Sequence, residues 1–251
     1  MNKTKIAWTE RTWNPITGCS KISEGCRHCY AEVMAKRLQG MGQKRYANGF
    51  TLTLHPEALN EPKKIKEPSM FFVCSMADLF HNDVPFGFID QVMRTIEATP
   101  QHTYQLLTKR TDRMRAYFFC SGYRIPGNVW LGTTIESFDY LWRKSALQLM
   151  PVPNVKFLSC EPLLGDLGAL NLQGIDWVIV GGESGPQGRQ MRKDWVLNIM
   201  RQCEEQNVAF FFKQWGTWGE DGLKRNKNEN GCLIDGKICQ EWPKVWKGGE
   251  Q

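Results

Sequence analysis

Three cysteines, Cys19, Cys26 and Cys29, fall within eleven residues of a stretch, 13–37, that reads W-N-P-I-T-G-C-S-K-I-S-E-G-C-R-H-C-Y-A-E-V-M-A-K-R. The stretch opens on the turn signals Asn14-Pro15 and Thr17-Gly18 and passes into a helical pattern from about Tyr30, which places the cysteines on a loop. Thiolates on a short, Gly-punctuated loop converge on a metal at low closure cost. Structural zinc normally takes four ligands, whereas three sulfurs leave one metal position open for a substrate or cofactor. Three chemistries fit the pattern: an iron–sulfur cluster with an open iron, a structural zinc completed by His28, His81, Cys74 or Cys160, and a disulfide. The nine cysteines are odd in number and spread from Cys19 to Cys239, with no signal-peptide pattern ahead of them, which suits a reducing cytoplasm better than disulfide bonding.

The other residues able to do chemistry follow short apolar runs. Such runs at 70–75, 103–107, 129–133, 155–159, 177–180 and 209–212 alternate with helical periodicity at 87–98, 112–119, 138–150 and 194–206, and no helix is expected after 155–159. With a first strand near residues 6–8, the alternation predicts an α/β fold: a partial (βα) TIM-like barrel of about six or seven parallel strands. The cysteine loop lies near its amino terminus, residues 1–215 form the barrel, and a short Gly/Trp-rich extension, 216–251, covers it. In such barrels the carboxyl ends of the strands gather at the active face. Ser75, Asp78, Lys109, Glu136, Glu161, Gly181-Gly182-Glu183 and Lys213 all stand at those ends. Glu161 and Glu183 come straight off apolar strands beside Pro or Gly, where capping does not account for them; Asp112 and Asp194 read as helix N-caps. Cys160, at a strand end, is the candidate catalytic thiol, against the alternative of a small buried residue.

Composition narrows the partner. Residues 1–69 carry 12 Lys/Arg against 6 Asp/Glu, while 70–251 carry 20 of each, so the whole excess of +6 sits with the cysteine loop. That favours an anionic partner, nucleic acid or nucleotide. Trp215, Trp218 and Trp242 could stack on a base, though covering the open face is the commoner use. No apolar run approaches the roughly 20 residues that span a bilayer, so a soluble, cytoplasmic chain with no membrane partner is expected.

The cysteine loop on such a barrel resembles the radical S-adenosylmethionine (SAM) superfamily. Over most of its length, and especially in W-N-P-I-T-G-C and G-C-R-H-C-Y-A-E, the chain also resembles a phage- and plasmid-associated family of three-cysteine, radical-SAM-like proteins. The resemblance implies a [4Fe–4S] cluster on Cys19, Cys26 and Cys29, with SAM on the open iron. It places His28 and Tyr30 near the adenine, and Gly181-Gly182-Glu183 in a Gly-rich SAM contact. Lys109, Lys213, Glu136, Glu161 and Glu183 would orient SAM or substrate. It further implies an electron donor such as flavodoxin or ferredoxin, hydrogen abstraction from a substrate, and a protein partner from the same operon. Two departures stand out. The spacing is C-x6-C-x2-C where the superfamily's common form is C-x3-C-x2-C, so the loop must bulge, with Gly25 as the expected hinge. Ser75-Met76-Ala77-Asp78 occupies the place, after the second barrel strand, where the superfamily carries its amine-binding stretch. A zinc-stabilised nucleic-acid-binding protein and a non-catalytic iron–sulfur sensor or scaffold in phage defence are the two other classes the residues admit.

Overall fold

The structure, a computed structural model, describes residues 3–120, 122–152 and 154–245. It divides into two compact units. The first, Met1–Gly132 with Met150–Pro153, holds β1 (Arg11–Trp13), β2 (Ile16–Thr17), α1 (Tyr30–Gly40), β3 (Thr53–Leu54), β4 (Met70–Val73), α2 (Phe86–Glu97), β5 (Thr103–Thr108), α3 (Thr111–Cys120) and most of β6 (Val129–Thr134). The second, Thr133–Leu149 with Asn154–Gln251, holds α4 (Trp142–Gln148), β7 (Lys156–Cys160), β8 (Trp177–Gly181), α5 (Lys193–Glu205), β9 (Ala209–Gln214), α6 (Lys227–Asn230), and the hairpin β10 (Leu233–Ile234) and β11 (Lys237–Ile238).

The fold is α/β, with seven strands ordered β1-β4-β5-β6-β7-β8-β9. Pairing is parallel at β1–β4, β4–β5, β7–β8 and β8–β9, the arrangement of a partial (βα) barrel. The strands read as unbroken apolar runs because they are buried on both faces: every residue of β4, β6 and β8 is buried. α2 covers its part of the sheet with Phe88, Ile89, Val92, Met93 and Ile96, all buried on one helical stripe. Each such side chain contributes about 1.5–3 kcal/mol.

Some elements differ from the sequence reading. Residues 6–8 form a turn, and the first strand is Arg11–Trp13 instead, with Trp13 in register with Val73. Trp8 is buried by packing on Phe72 (centroids 4.7 Å apart) without joining the sheet, which is why it resembled a strand residue. The segment 138–150 is a single 3-10 turn, Phe138–Tyr140, followed by the short α4. Asp112 and Asp194 lie in the first turns of α3 and α5 and do not cap them. The Asp194 carboxylate is held by the Arg192 guanidinium (3.0 and 2.9 Å), with Arg192 itself at the N-cap position. Residues 239–241 run along the outer edge of β9, where Phe212 N donates to Cys239 O (2.7 Å) and Glu241 N to Phe210 O (2.8 Å), so that edge is paired.

Candidate functional site

The cysteine loop is tied down by backbone at its start. Gly18 N donates to Met76 O (3.0 Å) and Cys19 N to Phe50 O (3.1 Å). Gly18 has φ +81, and a Cβ there would stand 2.3 Å from Thr51 O, so only glycine brings the chain this close. Gly25, by contrast, sits in a 3-10 turn, Glu24–Cys26, and has no left-handed backbone; the bulge hinges at Gly18. The loop docks on the segment after β4. Asn14 Oδ1, just past β1, accepts from Ser75 Oγ (3.2 Å) and Met76 N (3.0 Å), and the Tyr30 hydroxyl, at the start of α1, donates to Ser75 O.

Charge fixes the middle of this anchor. Asp78 accepts from Thr108 Oγ1 at both oxygens (2.8 and 2.9 Å), from Phe80 N (2.9 Å) and Lys109 N (3.3 Å), and from Arg110 Nη1 (3.1 Å). Arg110, buried with Asp78, then reaches the loop: Nη2 donates to Ser20 O and Ser20 Oγ (both 2.9 Å), and Nη1 stands 3.5 Å from Cys19 Sγ. His81 lies 2.7 Å from the same Ser20 hydroxyl through Nε2, while its Nδ1 accepts from Asp83 N (3.2 Å). That acceptor role puts the proton on Nε2, so neutral His81 donates to Ser20. Burial, then the Arg110 charge, push His81 below the ordinary histidine value, in keeping with the neutral ring.

The three thiols are free and partly exposed. Burial and then Asp78 push the Cys19 thiol up to about 11, with Arg110 pulling the other way. Cys26 Sγ lies 3.4 Å from Ser23 Oγ, and Cys29 occupies the N-cap of α1, where the helix macrodipole favours an anionic group. Among the described residues, no three His, Cys, Asp or Glu side chains are arranged to hold a metal ion. The donor set fits a cluster in kind: three unpaired thiols on one loop, two with hydrogen-bonding partners in place. Lys21, Ile22, Glu24 and Arg27 of the loop are exposed. Two of the candidate fourth zinc ligands are less available. Cys74 is buried with its thiol raised by burial, and both ring nitrogens of His81 are engaged.

The candidate carboxylates Glu136, Glu161 and Glu183 belong to the second unit and form three separate pairs. Glu161 Oε1 meets Lys213 Nζ at 2.8 Å, partly exposed. Glu136 is wholly buried against Arg143 (2.8 Å), which the sequence reading did not anticipate. Glu183 is gripped by Arg189 through Nε, Nη2 and the backbone N (2.9, 2.7 and 2.8 Å). Gly181 and Gly182 serve close packing: a Cβ on the first would stand 2.7 Å from Glu161 Oε1, and on the second 1.9 Å from Trp215 O. Cys160 has no exposed surface, and burial pushes its thiol well up. Trp242 stacks on Trp177 (5.0 Å), Trp215 is buried, and Trp218 Nε1 donates to Gly188 O (2.7 Å), so all three tryptophans are engaged in packing.

Residues 3–243 match a family model described as "Protein of unknown function (DUF5131)". The chain belongs to that family. No curated protein matches it. Two cysteine-variant structures of spore photoproduct lyase are similar to this DUF5131 chain at TM-score 0.50, with 14% and 13% identity, each covering 91% of this chain and 71% of that one. A third structure, a variant of that lyase with bound AdoMet and dinucleoside spore photoproduct, gives a TM-score of 0.47 at 13% identity, covering 81% of this chain and 63% of that one. In the first of the matches, too, the chain spans 63% of the lyase's length. At such identities the likeness is one of fold.

In the DUF5131 structure Arg110 reaches the loop, a contact with no sequence motif, while the neighbouring Lys109 gives Asp78 its backbone N–H. The chain bends after β5, with Arg110 N donating to Thr108 Oγ1 (2.9 Å), and this turn brings Arg110 beside the hydroxyl that meets Asp78.

Proposed function

We propose that this chain is a radical SAM-like enzyme in which Cys19, Cys26 and Cys29 hold a [4Fe–4S] cluster beside SAM, acting on a nucleic acid or nucleotide. The observation that carries the reading is the anchored loop: three free thiols on a single loop whose entry and flank are bonded to the segments following β1, β4 and β5. The parallel α/β fold shared with a lyase supports an enzymatic role. When bound, the cluster and SAM supply one-electron cleavage of SAM and hydrogen abstraction from a substrate.

The chain's own groups do the rest. Arg110 donates to the Cys19 sulfur and neutralises part of its charge, and Asp78 holds that guanidinium in place. Ser20, fixed by Arg110 and His81, sets the loop's direction. Ser75 and Asp78 stand where the superfamily's amine-binding stretch would be. Glu161 and Lys213 form a partly exposed pair within the second unit. Glu136 and Glu183 are assigned to holding Arg143 and Arg189.

Anaerobic reconstitution with iron and sulfide tests the reading. The expected result is a brown protein with about four irons per chain that converts SAM to 5′-deoxyadenosine under reduction. Cys26→Ala should lose both the absorption and the cleavage, while Cys203→Ala, a buried core thiol pushed up to about 12 by burial, should keep both. One zinc without visible absorption would point to a zinc-stabilised nucleic-acid-binding protein, and a cluster without SAM cleavage to a sensor or scaffold. Either result overturns the proposal.

A further inference from the structure

A polar cavity of about 370 Å³ in the first unit is lined by Thr12, Asn14, Arg45, Glu61 and Lys64. Trp13, between the first two in sequence, is packed: its indole meets Tyr104 edge-on (5.8 Å) and its Nε1–H donates to Ala58 O (2.9 Å), and Ala58 O also accepts from Glu61 N (3.1 Å), which ties the cavity's Glu61 to β1.

The lining is rich in donors. Asn14 commits its Oδ1 to Ser75 and Met76, which leaves the amide N–H groups for the cavity. Arg45 shares its guanidinium with Glu61 (2.9 Å) and, more loosely, Glu57 (3.8 Å). Lys64 has no acidic partner among the described residues. Two cations and two neutral donors thus surround one carboxylate that is already satisfied, a complement for an anion with several acceptor oxygens. Lys44, Lys63 and Lys66 are exposed in the same chain segments, and the space is far larger than a lone phosphate requires.

We propose that this cavity binds a backbone phosphate of a nucleic-acid strand, with Lys64, Arg45 and Asn14 as its donors and the flanking lysines on adjoining phosphates. The inference deepens the proposed function, resting on its nucleic-acid part and requiring no cluster.

Fluorescence anisotropy with a labelled single-stranded DNA of about 12 nucleotides, on the full chain without reconstitution, tests it. Lys64→Ala, at an exposed position, should weaken binding several-fold at low salt and reduce the salt slope by about 0.7, the value for one phosphate contact on a single strand. Glu61→Gln should tighten binding, because the competing carboxylate is gone, and Lys237→Ala, on the exposed β11 strand of the hairpin, should change nothing. Millimolar inorganic phosphate should compete only weakly. An unchanged slope in Lys64→Ala, equal losses in Lys64→Ala and Lys237→Ala, or full displacement by inorganic phosphate would overturn the site. If SAM cleavage fails while these binding results hold, the radical reading falls and the phosphate site stands; the opposite pair of results removes the site alone.

Discussion

Arg110→Met is the sharpest perturbation of the loop anchor. It keeps an unbranched, buried-size side chain and removes the donors to Asp78, Cys19 and Ser20 in one step. Breaking a buried ion pair by removing one partner costs about 3–5 kcal/mol, since the other charge is left uncompensated. Here Asp78 keeps the Thr108 hydroxyl and the N–H groups of Phe80 and Lys109, which draws the cost toward the lower end, about 3 kcal/mol. For a chain of this size that lowers Tm by about 6–12 °C. Differential scanning calorimetry on the parent, Arg110→Met, Asp78→Asn and the double variant separates the contributions. If the charges are coupled, the double variant loses clearly less than the sum of the singles, because removing the carboxylate relieves the penalty that the missing arginine created. A Tm within about 2 °C of the parent, or strictly additive losses, would falsify the claim that this pair fixes the loop.

Three further outcomes are expected. His55, His81 and His102 are buried, and burial pushes each below the ordinary histidine value. The unfolded chain, with histidines near 6.5, therefore takes up protons first: their contribution to stability is complete above about pH 6.5 and is lost as pH falls through the lower folded values, by up to about 1.4 kcal/mol per unit for each. His102→Phe, which keeps the ring packing on Phe71 and Tyr104, should flatten the acid limb of Tm against pH, and an unaltered limb would remove His102 from the account. Gly182→Ala drives a Cβ into the Trp215 carbonyl at 1.9 Å and should yield insoluble protein, whereas Gly40→Ala, with nothing within 4 Å, should express normally and gain up to about 1 kcal/mol in urea unfolding. Equal behaviour of the two glycine variants would contradict the close-packing reading.

The strands and helices were legible because their physics is local. Buried parallel strands such as M-F-F-V and W-V-I-V leave unbroken apolar runs, and α2 shows its stripe at helical spacing, so both were placed to within a residue or two. The β10–β11 hairpin turns at Asp235-Gly236, both of which take up positive φ, the residue pair that such a turn demands. What failed to show was which partner a given side chain meets, near or far in sequence. Trp8 looks like a strand residue because it is apolar, yet its burial comes from Phe72. Glu136 and Glu183 stand at strand ends as expected, and only the structure shows Arg143 and Arg189 beside them, seven and six residues further on. Spacing alone does not distinguish a carboxylate aimed at substrate from one that holds an arginine.

The same limit shapes the cysteine loop. Its three thiols are plain in the sequence, but a ligand loop needs a rigid base, and that base consists of groups with no motif: the Asn14 amide, the Asp78 carboxylate and Arg110, drawn from the ends of three strands. Two residues explain why the loop tolerates its longer spacing. Gly18 lets the backbone touch Thr51 before the extra residues begin, and Tyr30 pins the start of α1 to Ser75 after they end. The insertion is thus enclosed between two fixed points, so added length there changes the reach of Cys26 while Cys19 and Cys29 stay on their anchors. If the loop holds the proposed cluster, shortening the segment between Cys19 and Cys26 should leave folding intact and lower iron content after reconstitution, and thermal stability measured beside it separates that effect from a general loss of structure.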